Sequence, residues 1–80
     1  MKIYEITISE NEKILESWKH PKTDSAYCAS LKIAMLERSR MVSGWGYEEK
    51  DFIYSENGLF AVSKDNLIVT EIREVELACS

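Results

Sequence analysis

The sequence predicts an α+β fold in which one long helix packs on one face of a small antiparallel sheet. Three observations predict it: apolar and polar residues alternate near the N-terminus, the middle of the chain is rich in helix formers, and the C-terminal third is rich in β-branched residues around an Asn-Gly pair. The expected element order is a β-hairpin, one long helix and a β-meander, or ββαβββ. The 80 residues are expected to form a single globular domain spanning 1–80.

The first strand is predicted at residues 2–9, where apolar and polar side chains alternate. The same alternation in the later strands predicts which side chains meet the helix, from which Leu31 and Ala34 would contact them. The side chains expected to face the helix are Tyr4, Ile6, Ile8, Ile53, Val62 and Val69.

Residues 10–20 fit two interpretations. Ser9 and Glu12 have the spacing of a capping box, which favours a helix. Alternatively, residues 10–12 form a turn and residues 13–20 return as a second strand. We favour the hairpin, because a lone short helix is marginally stable and the first strand needs a partner.

A helix is predicted from Asp24 or Ser25, either of which can cap it, to about Val42, with Gly44 as its C-terminal cap. Its apolar side chains fall into two stripes, and one helix on one sheet buries only one of them. The second stripe is therefore expected to be an oligomer or partner face, and we expect a homodimer through it. Its members are Ala26, Ala29, Ile33 and Leu36.

The β-meander is predicted from two turns in the C-terminal third. Asn57-Gly58 separates two apolar runs and is the strongest short hairpin signal in the chain. A two-residue turn there would place Ile53 opposite Val62 and Ser55 opposite Phe60. Residues 64–66 form the second turn, before a β-branched run at 67–75.

Charge and cysteine content indicate the cellular compartment of the protein. The net charge is −4, with a balance of +3 over residues 19–40 and −5 over residues 41–80. Glu5 interrupts the region where a signal peptide would be apolar, and Cys28 and Cys79 have no paired spacing. The chain is therefore expected to be a soluble cytoplasmic protein with free thiols.

No pattern of residues predicts catalysis, a metal site or a cofactor. His20 precedes a proline in a polar turn, and Cys28 lies on an apolar stripe, so they are expected to be a surface histidine and a small buried thiol. Adding Cys79 gives three soft ligands without the spacing of a zinc site. We therefore expect a protein that is not an enzyme.

The stretch Gly44-Trp45-Gly46-Tyr47 is the strongest candidate for a binding surface. Its glycines fit a helix end and a flexible joint, and large aromatic residues dominate many protein interfaces. We expect Tyr47 to point inward and Trp45 to be at least partly exposed. The predicted partner-binding residues are Trp45, Tyr47 and the acidic residues that follow, Glu48, Glu49 and Asp51.

A basic patch is the second candidate surface, formed by Lys32, Arg38 and Arg40. Three cations on an acidic domain are few for phosphate recognition, which is built from many such contacts, so nucleic acid is not the expected partner.

The leading hypothesis is a small non-enzymatic protein-binding module, an inhibitor or adaptor of a larger intracellular machine. Its build resembles that of the accessory proteins of phages and mobile elements that bind and inhibit host machinery, in size and style rather than in any motif. The alternative is a nucleic-acid-associated or nucleic-acid-mimicking regulator, and a more remote one is a small oligomeric enzyme. The other protein that it would bind is not identified by the sequence.

Overall fold

The computed structural model describes residues 1–77 and contains five strands and one α-helix in the order ββαβββ, which confirms the predicted fold class. Single turns of 3-10 helix lie at Glu12–Ile14 and Glu49–Asp51. The main elements are β1 (Lys2–Glu10), β2 (Thr23–Cys28), α1 (Leu31–Gly44), β3 (Phe52–Tyr54), β4 (Phe60–Ser63) and β5 (Ile68–Glu76).

The five strands form one antiparallel sheet in the order β2-β1-β5-β4-β3. The first and last strands are therefore neighbours at its centre. They pair along their whole length, from Lys2 opposite Glu76 to Glu10 opposite Ile68. No helix among residues 1–77 is long and apolar enough to cross a membrane.

The core lies between α1 and one face of the sheet. Ile6 and Ile8 of β1 are fully buried at its centre, as the alternation in this strand predicts. From the helix, Ala34 packs near Ile6, and Val42 packs near Ile8. The core is thus two small adjoining clusters along the middle strands.

The prediction that Ile53, Val62 and Val69 face the helix is wrong. Ile53 does lie opposite Val62, as the Asn-Gly turn predicts, but that pair is on the face of the sheet away from α1, with Val69 beside it. Ile53 is 65% exposed. The side facing α1 is the one that carries Phe52, Ala61 and Ile68, because these side chains pack with Val42 of α1 and with Tyr47 into one apolar cluster. The buried residues on this side are Phe52, Ala61, Ser63, Ile68, Thr70 and Ile72.

The second strand lies at residues 23–28, not at the predicted 13–20. Asn11 accounts for the difference, because it ties the end of β1 to the turn between β4 and β5. Its side chain donates to the Asn66 carbonyl oxygen at 3.0 Å and accepts from the Lys13 backbone N–H at 3.1 Å. These bonds start a 3-10 turn, so the chain leaves the sheet before it returns as β2.

The helix begins at Leu31, and its cap lies five or six residues later than the predicted caps Ser25 and Asp24. Ser30 caps it, because its hydroxyl oxygen accepts from the Ile33 N–H at 3.2 Å. The positions read as the first turns of the helix instead pair with β1, with Ala26 opposite Ile6. Pairing with a central strand overrides the weak helix propensity of this segment.

Candidate functional site

The Trp45 loop, formed by Trp45, Gly46 and Tyr47, directly follows the end of α1. The backbone N–H groups of Trp45 and Tyr47 both donate to the Val42 carbonyl oxygen, at 3.1 and 2.9 Å. Between them, Gly46 has a φ of +86°, a conformation that glycine adopts without strain. This tight reversal turns both aromatic side chains back onto the cluster around Val42.

Trp45 is held in one orientation by two polar neighbours. Its indole Nε1 donates to the Asp24 carboxylate at 2.9 Å. The Lys22 ammonium lies 5.0 Å from the centre of the indole ring, within the range of a cation–π contact. The ring is partly exposed and connects the end of α1 to β2.

Tyr47 points inward, and its hydroxyl reaches the turn between β4 and β5. Its ring lies 5.8 Å from that of Phe52 in a tilted arrangement, and its hydroxyl donates to Asp65 at 2.8 Å. Burial first, and then the Asp65 carboxylate, raise the pKa of Tyr47 above its ordinary value of 10.0. Tyr47 is therefore a neutral hydrogen-bond donor that is held against the turn between β4 and β5.

Asp65 organises that turn. Besides Tyr47, its carboxylate accepts from the Ser63 hydroxyl and from the Leu67 backbone N–H at 3.0 Å. The Ser63 hydrogen bond, followed by those of Leu67 and Tyr47, lowers the pKa of Asp65 below its ordinary value of 3.8. The carboxylate thus binds Tyr47 through Oδ2 and binds Ser63 and Leu67 through Oδ1.

We expect Asp65→Asn to lower the free energy of unfolding at neutral pH. The loss should become smaller as the pH falls. A carboxylate with a lowered folded-state pKa contributes stability above its unfolded-state value, and that contribution is lost as pH falls through the folded-state pKa. The difference in urea midpoint between the wild type and Asp65→Asn should therefore shrink between about pH 7 and about pH 2.5. A difference that stays constant over this range would contradict the role given to the charge.

An apolar groove of about 400 Å³ lies beside Trp45, between the loop after β1 and the β4–β5 turn. Ile14 and Leu67 are roughly half exposed. Glu10 and Lys22 also border the groove, and the Glu10 carboxylate accepts from the Lys22 backbone N–H at 2.7 Å. The apolar lining consists of Ile14, Leu15, Trp45, Tyr47, Leu67 and Ile68.

Two of the predicted partner-binding residues, Trp45 and Tyr47, thus lie together in this groove. The sequence reasoning missed Ile14, Leu15 and Leu67. A signal existed in the apolar pairs Ile14-Leu15 and Leu67-Ile68, each of which directly follows a polar turn where exposed apolar residues are unexpected.

The predicted acidic partner residues build the loop in which they lie. The Asp51 carboxylate accepts from the Glu48 backbone N–H at 2.8 Å, as part of a capping box around a single 3-10 turn. The Glu49 side chain accepts a hydrogen bond from the Ser39 hydroxyl on α1. Their carboxylates therefore have structural partners, and they lie outside the lining of the apolar groove.

The second predicted stripe does not form one face. Ala26 belongs to β2 and lies partly buried against the core, and Ala29 precedes the helix. Ile33 and Leu36 are on α1 and are 53% and 67% exposed. Two of its four members thus lie before the helix, which begins only at Leu31.

The predicted basic patch is also divided. Arg38 is buried, and its Nη1 donates to the Gly58 carbonyl oxygen at 2.7 Å. Arg40 is exposed and forms an ion pair with Glu37, one turn before it on α1. Lys32 is exposed near the start of the helix. The three cations therefore do not share one surface.

The residues considered for catalysis are not grouped into a site. His20 is exposed in the loop before β2, whereas Cys28 is half-buried against the core. Cys79 lies outside the described residues. Within residues 1–77, no group of three or more His, Cys, Asp or Glu side chains is placed to hold a metal ion.

Comparison of the chain with models of protein families, with curated proteins and with solved structures gave no match.

Proposed function

We propose that this protein is a small non-enzymatic protein-binding module, an inhibitor or adaptor of a larger cytoplasmic machine. The observation that carries the proposal is the apolar groove with Trp45 fixed in its wall. The half-buried free thiol of Cys28 supports a reducing compartment such as the cytoplasm. In build, the protein resembles phage and mobile-element accessory proteins of this kind.

The groove has the features of a site that receives an anchoring side chain. Tryptophan and tyrosine are enriched among the residues that dominate binding energy, and here both are already held in place by hydrogen bonds to Asp24 and Asp65. Because these side chains are ordered before binding, little conformational entropy is lost when a partner docks. Apolar residues at the rim, Ile14 and Leu67, can exclude water around the contact.

The charges around the groove indicate the chemistry of the partner. Among the charged side chains that line the groove or contact its two aromatic side chains, Glu10, Asp24 and Asp65 are acidic and Lys22 is basic. We propose an apolar anchor residue flanked by a basic residue on the partner protein. The aliphatic or aromatic anchor fills the groove, and the basic residue faces Glu10.

Replacing Leu67 by aspartate should weaken binding of a partner captured from the native cell at least about tenfold, because it places a charge against the docked apolar anchor. The dissociation constant is measured by calorimetry with the purified partner. Leu36→Asp is the matched control, since Leu36 is also an exposed leucine but lies on the outside of α1, and it should change the constant less than about threefold.

Equal losses in the two leucine variants, or no loss in either, would place the partner elsewhere on the molecule. Circular dichroism of both variants checks that they stay folded. The salt dependence separates this mode from mimicry of a phosphate backbone: binding by the groove should change little between about 0.1 and 0.5 M salt, whereas charge mimicry weakens steeply.

A further inference from the structure

Strand β2 is the longer free edge of the sheet, with six residues and no proline, whereas β3 has three. At its start, the Glu10 N–H donates to the carbonyl oxygen of Lys22, the residue directly opposite in the β1–β2 register, at 2.9 Å. In an antiparallel pair, residues that bond to the neighbouring strand alternate with residues whose backbone groups turn outward. The outward N–H and C=O groups on β2 are therefore those of Thr23, Ser25 and Tyr27.

An edge of this length is open to pairing with another strand, because it carries none of the usual protection by proline, lysine or a bulge. A second copy of β2, related by a two-fold axis at Ser25, satisfies all of the outward groups at once. Ser25 then pairs with Ser25 of the second copy, and Thr23 pairs with its Tyr27. This register also places Asp24 opposite Ala26 of the second copy, so no like charges are opposed.

A row of side chains on α1 runs beside the same edge. Ile33, Glu37, Arg40 and Gly44 follow the spacing that puts residues on one side of a helix. Three members of this row border a groove of about 340 Å³ between α1 and β2. The groove is lined by Glu37, Arg40, Met41 and Gly44 of α1, by Asp24, Ser25 and Ala26 of β2, and at one end by Lys22 and Trp45.

The row is self-complementary under the same two-fold axis, because reversing it brings Glu37 opposite Arg40 of the second copy. Within its own chain, Arg40 donates to Glu37 through Nε and Nη2, which leaves Nη1 for Glu37 of the second copy. The reversal also brings Ile33, which is 53% exposed, opposite Gly44, where a missing side chain leaves room for it.

The spacing of the elements allows the two rows to meet. Paired strands lie about 4.8 Å apart, and α1 contacts both β1 and β2 of its own chain. Two copies joined at β2 would therefore hold their helices on the same side of the sheet, about 10–14 Å apart. Helices with their side chains are about 10–12 Å across, so the facing rows come into contact.

We propose that two copies of this chain join edge to edge through β2, forming one continuous sheet with the two α1 helices side by side. Main-chain hydrogen bonds join the strands, and reciprocal Glu37–Arg40 pairs fix the register of the helices. The two grooves share Lys22 and Trp45, but Ile14, Leu67 and Ile68 of the apolar groove do not border the β2 edge. The dimer is argued from the strand edge and the helix row alone, so this proposal does not depend on the proposed function.

The first test uses sedimentation equilibrium of the wild type and two matched variants at about 10 to 500 µM. The wild type should be a dimer. Ser25→Pro removes an outward N–H without taking a hydrogen bond from the β1–β2 pair, and should be a folded monomer by circular dichroism. Ser25→Ala keeps that N–H and should remain a dimer. A wild type that is monomeric throughout, or a Ser25→Pro variant that is folded and still dimeric, would overturn the proposal.

The second test exchanges the charges and applies whether or not Ser25→Pro folds. Glu37→Arg and Arg40→Glu each oppose like charges across the axis and should raise the dimer dissociation constant at least about tenfold. The double variant Glu37→Arg/Arg40→Glu restores opposite charges and should return the constant to within about threefold of wild type. Additive losses in the double variant would overturn the proposed helix register.

Discussion

Ile6→Ala should lower the free energy of unfolding by about 2–4 kcal/mol, measured by urea denaturation. Ile6 is fully buried between Ala34 of α1 and Ile72 of β5, so its truncation leaves a cavity that the central strands cannot collapse to fill. A domain of 80 residues is expected to have a stability of only about 4–12 kcal/mol, so this single change removes a large part of it.

Ile53→Ala is the matched control, because it makes the same chemical change on the other face of the sheet. Ile53 is 65% exposed, and its truncation should cost less than about 0.5 kcal/mol. Losses of similar size in the two variants would mean that the face of the sheet away from α1 is also covered.

Arg38→Ala should cost about 2–3 kcal/mol by the same measurement, a large effect for an arginine on a helix. The side chain is buried, donates to the Gly58 carbonyl oxygen at 2.7 Å and stacks over Tyr54 at 5.2 Å. Its removal leaves the carbonyl of the β3–β4 turn without its donor and opens a gap between α1 and β3.

Arg38→Met separates packing from hydrogen bonding. Methionine keeps most of the apolar stem but cannot donate to Gly58. The free energy of unfolding of Arg38→Met should therefore lie between those of the wild type and Arg38→Ala. Lys32→Ala, an exposed cation on the same helix, should change stability by less than about 0.5 kcal/mol. Equal small effects in all three variants would show that the Arg38 contacts contribute nothing to stability.

The element order could be predicted from the sequence because local patterns dictate it. The Asn57-Gly58 turn sets the pairing of Ile53 with Val62, and the structure has that pair. The same pattern does not reveal which face of the strand meets the helix. That depends on tertiary packing, because the side that carries Ala61 is buried together with Val42 of α1, whereas Val62 lies on the other side.

The boundary between β2 and α1 could not be predicted for a similar reason. Asp24, Ser25 and Ser30 are all capable of capping a helix, and Ala26 favours one. Only the pairing of Ala26 with Ile6 makes the strand more favourable, and that contact joins residues twenty positions apart.

The candidate site could also be predicted only in part. The glycine-flanked Trp45 and Tyr47 could be identified from their local sequence as a candidate surface. The apolar lining of the groove comes from three separate segments, and Ile14 and Leu67 become neighbours of Trp45 only in the folded chain. Conversely, Arg38 has the residue type of a surface cation, and its burial depends on the Gly58 carbonyl that folding brings to it.

The central pairing of β1 with β5 affects the order of events when the protein is made. During translation, β1 leaves the ribosome before the other four strands, but one of its two partners, β5, is completed only at Glu76. Until then, the apolar side of β1, with Ile6 and Ile8, lacks its main neighbour. Closing such a distant contact is slow, because most of the chain must be ordered first. Until β5 has been made, this side of β1 is therefore a place where the nascent chain can aggregate or be bound by chaperones.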